Sequence, residues 1–440
     1  MTRRSLIAGL RAAMAVGYVY GILRANVPEI ASHFIFDFAA GGLYSGIWLS
    51  GFSPQQKFRI AKLQGWMIVL LGWPLLLLFV PIQSTFIQLV GLRGAVWFLP
   101  FLLIGGGLSE DEIYGLAVWL AVLNLFALGF ASAEYLWGLA WFFPHSSVTD
   151  IIDVSRDVAG NSFRIPSSFA NPASYSSTMN YALPLLVWAW VSRSQSAFLR
   201  CVVLFGVAAG CIGVFLGASR SQAIILVLFA GFLLTVRKIT LSGIMGLAIL
   251  ALGIGYVVAQ NPRLQRFTSL RDTNYVQRRI SLSANYGFID AAAQYPMGNG
   301  LGGGGTSLPY FLRSEVDAPL VIENEYGRIM LELGIPGLCM WLGFLIWALG
   351  RKPIWPNDGS EFGKQLAWFI CLLEACLAVT GIGLFTAIPG SAIFFLLLGW
   401  ISSRPLPSRL LLEQAVGYGS TDQKPKRRGV ASALDRELWA

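Results

Sequence analysis

Gln260-Asn261-Pro262-Arg263-Leu264-Gln265-Arg266 opens, and Glu323-Asn324-Glu325-Tyr326-Gly327-Arg328 closes, the longest polar stretch of a 440-residue chain. Between Gln260 and Glu325 lie six arginines, Arg263, Arg266, Arg271, Arg278, Arg279 and Arg313, and no lysine. The stretch also holds the run Gly298-Asn299-Gly300-Leu301-Gly302-Gly303-Gly304-Gly305, and Leu331-Glu332-Leu333-Gly334-Ile335-Pro336-Gly337 follows soon after. The chain as a whole is 55% hydrophobic and 12% charged, with a mean hydropathy of +0.62. Soluble proteins carry about 25% charged residues, so the composition points to the membrane. Apolar runs of about 17–25 residues recur along the whole length, enough for spanning helices. No sustained alternation of period two suggests a membrane barrel. The fold class predicted is therefore all-α, a polytopic integral membrane protein, with the polar stretch as a large loop held by a helical frame.

Worked outward from that loop, the pattern predicts about twelve spans, the loop falling between spans nine and ten. Residues 1–403 form the membrane domain, with polar loops at 141–172 and 260–325, and 404–440 form a basic, disordered cytoplasmic tail. The run Ser5–Leu23 reads as an uncleaved first helix. Lys57, Arg59 and Lys62 read as a basic inner loop, with the third span beginning near Gly65. Arg93 reads as part of a short outer segment, and Ser109-Glu110-Asp111-Glu112 as an acidic inner turn. Gly217-Ala218-Ser219-Arg220-Ser221 reads as a very tight outer turn, and Ser281–Tyr295 as an interfacial helix stopped by Pro296. All seven lysines, Lys57, Lys62, Lys238, Lys352, Lys364, Lys424 and Lys426, then fall on one side, the side the positive-inside rule makes cytoplasmic. The loops at 141–172 and 260–325 fall on the other side, and both termini inside.

Several chemistries are disfavoured. Cys201, Cys211, Cys339, Cys371 and Cys376 all sit in apolar runs and read as small buried hydrophobes. His33 and His145 are far apart, so no metal cluster is indicated. The net charge of +9 fits retained cytoplasmic lysine and arginine better than a nucleic-acid surface. The glycine run lacks the Gly-Lys-Ser/Thr of a phosphate-binding P-loop and faces a side without nucleotides. It reads either as a flexible crossing loop or as a cradle of backbone amides for an anion.

The residues left to carry chemistry are arginines and carboxylates. Arginine offers a planar fork that pairs bidentately with phosphate. Arg278 and Arg279 enter the loop, and Arg220 opens a span at the outer side, where a charge is costly. Ser219 is placed to cap that span. At the loop's exit, Glu323 or Glu325 can serve as a general base, or a first-turn acid can simply stabilise a helix N-terminus. For the arginines of the loop the alternative is a salt bridge with Asp272, Asp290, Glu315, Asp317, Glu323 or Glu325, and for Arg220 it is snorkelling to the outer headgroups.

Four segments together resemble the O-antigen ligase and O-antigen polymerase family of bacterial envelope glycan assembly. They are Ser219-Arg220-Ser221; Phe163-Arg164 through Phe169-Ala170-Asn171-Pro172; Arg278-Arg279 through Tyr295-Pro296-Met297-Gly298-Asn299-Gly300-Leu301-Gly302; and Glu323-Asn324-Glu325-Tyr326 with Glu332-Leu333-Gly334-Ile335-Pro336-Gly337-Leu338. The likeness covers most of 160–345. It implies a glycosyltransferase of the bacterial inner membrane, active on the periplasmic face, using a glycan on undecaprenyl diphosphate, with no cofactor and no metal. Ligases of the family carry a histidine before the Asn of the Asn-x-Tyr segment, where this chain has Glu323, so the resemblance leans to a polymerase of O-antigen or exopolysaccharide repeat units. For that chemistry the residues offer Arg220 and Arg279 as candidates to clamp the diphosphate and Glu323 as the base for the acceptor hydroxyl, with Arg278, Arg164, Asn324, Glu325, Tyr326 and Arg328 as substrate-binding candidates. The expected partners are the lipid-linked glycan, membrane lipid and a chain-length regulator, with no nucleic acid. The alternatives are a ligase transferring glycan to a lipid or protein acceptor, a transporter of lipid-linked sugars, and a scaffold of an export complex. A transporter is disfavoured because no internal repeat is visible and Glu374 is the one plausible midplane charge.

Overall fold

Serine stands at the start of several of this chain's helices. Ser53 accepts from the backbone N–H of Gln56, whose side chain returns a bond to Ser53, a reciprocal cap with Pro54 in the first turn. Ser84, Ser109 and Ser196 open three further helices, the first and last by accepting from Ile87 and Leu199. In the computed structural model the elements so begun are all helical. The structure describes residues 3–27, 30–146, 149, 164–192, 196–236, 273–274, 277, 281, 288–304, 308, 312, 315–316, 324–350 and 359–404.

In chain order the helices are α1 (Arg3–Asn26), α2 (Ile35–Ser50), α3 (Pro54–Leu77), α4 (Thr85–Val96), α5 (Leu99–Gly107), α6 (Glu110–Trp137), α7 (Pro172–Ser192), α8 (Ala197–Leu216), α9 (Arg220–Val236), α10 (Asp290–Gln294), α11 (Glu325–Leu349), α12 (Gly359–Leu377) and α13 (Gly390–Ser402). No strand occurs among the described residues. Among the described residues, seven segments are long and apolar enough to cross a membrane: α1, α3, the α4–α5 pair, α6, α8, α11 and the stretch Glu361–Thr380. The fold is that of a helical membrane protein. The expected ninth span at 239–259, the tail beyond Arg404, and most of the loops at 141–172 and 260–325 lie outside the described residues.

Three sequence expectations change. Lys57, Arg59 and Lys62 belong to the first turns of α3, not to a loop. The Ser53 cap starts the helix well before Gly65, and Arg59 ties the C-terminal ends of α5 and α13 by donating to Leu108 O at 2.8 Å and Ser403 Oγ at 3.5 Å. Ser109–Glu112 is the start of α6, where Glu112 accepts from Ser109 N at 2.7 Å and three acids meet the positive helix end. Arg93 lies within α4, and its guanidinium forks onto Asp37 of α2 at 2.9 and 2.7 Å. A bidentate partner removes the cost that would otherwise exclude an arginine from an apolar helix.

α7 is too polar to count among the seven, yet its Ser174, Ser176, Thr178 and Asn180 are buried. Asn180 donates to the Gln222 side chain of α9 at 2.7 Å, and Gln222 donates to Glu374 of α12 at 3.2 Å. Glu374 therefore lies in a polar contact of three helices. α5 and α13 pack tightly at Gly399, where a β-carbon would collide with the Leu102 carbonyl. Gly399→Leu is expected to force these helices apart and cost about 1–3 kcal/mol, read as a lower melting temperature in detergent; an unchanged melting curve would contradict this packing.

Candidate functional site

A run of hydrogen bonds gathers several of the expected site residues at one end of the bundle. Arg164 Nε donates to the carbonyl of Gly217 at 3.1 Å, and Ile165 N donates to Leu216 O at 3.3 Å. Three residues after Gly217, Arg220 begins α9. Gln222 in the same turn reaches Glu374 of α12, and next to Glu374 the Ala375 carbonyl accepts from the Tyr326 hydroxyl at 2.6 Å. Glu325 N donates to Gly381 O at 3.0 Å, and Glu325 Oε2 accepts from Gly383 N at 2.6 Å. The N-terminal ends of α9 and α11 and the C-terminal end of α12 thus meet.

The expected tight turn is present. Ser219 O accepts from Ala223 N at 3.0 Å, which puts Ser219 at the N-cap position, and its hydroxyl lies 3.3 Å from that of Ser221. Arg220 and Arg164 are both half-buried. Beside each stands a non-glycine residue in the left-handed region, Ala218 at φ 45 and Ser167 at φ 53. Such residues cost roughly 1–3 kcal/mol and persist only where surrounding contacts over-determine them. Asn171 accepts from Ser174 N at 2.8 Å, and Pro172 follows as the first residue of α7.

At the start of α11 the side chains have structural partners. Asn324 caps the helix, accepting from Tyr326 N at 2.9 Å and Gly327 N at 3.1 Å. Arg328 sits between two carboxylates, donating to Glu325 Oε1 at 2.7 Å and to Glu332 Oε2 at 2.8 Å. The side chains of Arg328, Glu325 and Glu332 are 4%, 0% and 0% exposed. Glu325 is thus the first-turn acid of a buried ion network, not a carboxylate at an open mouth, and Arg328 is engaged within its own helix. The burial of Asn324 likewise assigns it to the cap, while Tyr326 remains half-buried. Arg278, Arg279 and Glu323 lie outside the described residues.

The glycine run is packed, not a flexible crossing. α11 breaks at Gly334, at φ 71 and ψ −176. The backbone bond that would join Ile335 N to Leu331 O is opened, and the segment 296–299 enters the gap. Ile335 N donates to Pro296 O at 2.9 Å, and Asn299 N donates to Leu331 O at 2.6 Å. Trp73 Nε1 donates to Leu333 O at 2.8 Å, and Gln83 Nε2 to Asn299 O at 3.1 Å. A β-carbon on Gly334 would lie 2.5 Å from the Met297 carbonyl carbon, so the break requires glycine. Gly298 N and Gly303 N are also bonded to carbonyls of the protein itself. α10 ends at Gln294, just before Tyr295-Pro296, as a proline stop predicts.

Sequence reasoning missed three features. The Asp37–Arg93 pair has no local signature. Glu332 as a partner of Arg328 was legible in the helical spacing of four. Glu134, buried in the last turn of α6, accepts from Ser167 N at 2.9 Å. The described residues hold no group of three or more His, Cys, Asp or Glu placed to bind a metal.

The fold and site together define a helical membrane protein with arginines and carboxylates at one end of the bundle. No family model matches the chain, and no curated protein matches it.

Arg328→Met is expected to strand two buried carboxylates and to cost about 3–5 kcal/mol. Thermal unfolding in detergent checks this, with Arg328→Lys as the charge-retaining control. A methionine variant as stable as the parent would remove the ion network from the fold.

Proposed function

We propose that the chain is a membrane glycosyltransferase that polymerises undecaprenyl-diphosphate-linked oligosaccharide repeat units of an O-antigen or exopolysaccharide. The observation that carries this reading is the pair of strained turns, joined by the Arg164–Gly217 bond, that hold Arg164 and Arg220 at one end of the bundle. Arginines fixed on rigid backbone suit a diphosphate, because the fork geometry is pre-set and needs no reorganisation as charge develops. In this reading the chain has about twelve spans, lies in the bacterial inner membrane with both termini cytoplasmic, and presents the arginine end to the periplasm. The lysine distribution supports that orientation.

The reaction is a direct displacement. The acceptor hydroxyl oxygen attacks the anomeric carbon of the donor, the bond from that carbon to the diphosphate oxygen breaks, and undecaprenyl diphosphate leaves with the electron pair. The anomeric centre inverts. Arg220 and Arg279 stabilise the departing diphosphate, Arg278 and Arg164 help to hold it, and Glu323 takes the hydroxyl proton. No metal is required, since the arginines supply the positive charge.

The test uses purified chain in detergent with lipid-linked repeat unit and no second membrane compartment. Polymer is expected, whereas a transporter would yield none. Arg220→Ala is expected to lower the polymerisation rate about 10²-fold at normal abundance, with Arg220→Lys recovering part of it. Transfer of a single unit to a lipid acceptor, without polymer, would move the assignment to a ligase. Rates unaffected by Arg220→Ala would remove that residue from the mechanism.

A further inference from the structure

The segment 164–171 lies among three helices, α1, α6 and α8, and bonds to each of them. Arg164 Nε and Ile165 N bond to the C-terminal end of α8. Ser168 bonds to α1 twice, its hydroxyl donating to Tyr18 O and its carbonyl accepting from Ile22 N. Ser167 bonds to α6 twice, its hydroxyl donating to Ala127 O at 2.7 Å and its backbone N–H to Glu134 Oε2 at 2.9 Å. Phe169 N closes a tight turn by donating to Pro166 O at 3.2 Å, with Ser167 at φ 53 in its second position. That position favours glycine or asparagine, so a serine there must be held by its neighbours.

Glu134 is the unusual member. It is 0% exposed, Oε2 accepts from Ser167 N, and Oε1 has no hydrogen-bond partner among the described residues. Burying a carboxylate is costly, and a carbonyl or amide oxygen would accept from one backbone N–H equally well. What Glu134 does in the described structure is fix the backbone of one residue, and that residue lies three positions from Arg164.

We propose that Glu134 is a positioning residue, whose hold on the Ser167 turn sets the direction in which Arg164 meets an anionic diphosphate. The inference rests on the glycosyltransferase reading, because it takes Arg164 to bind the donor. Glu134 touches no substrate. It acts through Ser167 on Arg164.

The experiment compares the parent with Glu134→Gln, Glu134→Ala, Arg164→Ala and the Glu134→Ala/Arg164→Ala double variant, all as full chain in detergent. Glu134→Ala is expected to raise KM for the lipid-linked repeat unit about tenfold while kcat stays close to that of the parent. Glu134→Gln, which keeps an oxygen to accept from Ser167 N, is expected to stay near the parent. The double variant should be no worse than Arg164→Ala alone, because both changes remove one function. A separate structural effect would instead add its own loss to that of Arg164→Ala, and that result overturns the proposal. So does a glutamine variant as poor as the alanine one. Backbone hydrogen exchange over 165–169 gives a readout independent of activity. Protection should fall in Glu134→Ala and persist in Glu134→Gln, with α11 unchanged; equal protection in all variants also overturns it. If the parent makes no polymer, the glycosyltransferase reading falls. Positioning is then decided by affinity for undecaprenyl diphosphate, which must weaken in Glu134→Ala and Arg164→Ala alike and no further in the double variant.

Discussion

A backbone amide surrounded by lipid and protein must find a partner within the protein, and the break in α11 at Gly334 shows how strictly this holds. Opening a helix there exposes the Ile335 N–H and the Leu331 carbonyl. The chain does not leave them to water. Pro296 O and Asn299 N take the two places, and the Trp73 indole covers the Leu333 carbonyl. One broken helical bond thereby becomes two bonds to a loop and ties α3, α11 and the glycine run into one unit. The loop's position follows from that need, and so does glycine at 334, where any side chain would meet Met297.

The same constraint separates two pairs among the described arginines. Arg93 and Arg328 lie within helices, and each has carboxylates as its partners: Asp37 for the first, Glu325 and Glu332 for the second. Their charges are spent on holding helices together. Arg164 and Arg220 stand at turns, next to Ser167 and Ala218 in left-handed backbone, and neither turn is closed by a glycine at its strained position. Strain of this kind is tolerated where neighbouring contacts outnumber it. Around Ser167 those contacts come from Tyr18 and Ile22, Ala127 and Glu134, and the end of α8. The proposed diphosphate site is therefore built on fixed backbone, and that matters for a ligand bound mainly through charge.

Much of this arrangement was legible in order and little of it in contact. Serine at 53, 84, 109 and 196, Pro296 after α10, and the tight turn before Arg220 are local signals, and each marks a boundary in the structure. The expectation failed where the partner is distant in sequence. A lone arginine in an apolar run is costly, which favours an outer segment for Arg93, and Asp37, which removes the cost, lies 56 residues away. Hydropathy falls over Lys57, Arg59 and Lys62, which reads as a loop, although the Ser53 cap has already begun the helix. Glycine permits both flexibility and anion binding, and only the gap in α11 selects a third use for the run.

By itself the sequence determined the all-helical membrane class and where most of the apolar helices lie, while the ion pairs of Arg328 with Glu325 and Glu332 follow spacings of three and four that only the structure turned from substrate-binding candidates into a buried network. Hydropathy, capping and helical period are properties of short windows, so a linear reading recovers them. Only the tertiary structure decided that Glu134 holds Ser167, that Asp37 meets Arg93, and that 296–299 completes α11. Each of these joins groups whose separation in the chain says nothing of their distance in space, and each is fixed by the requirement that buried polar groups be bonded.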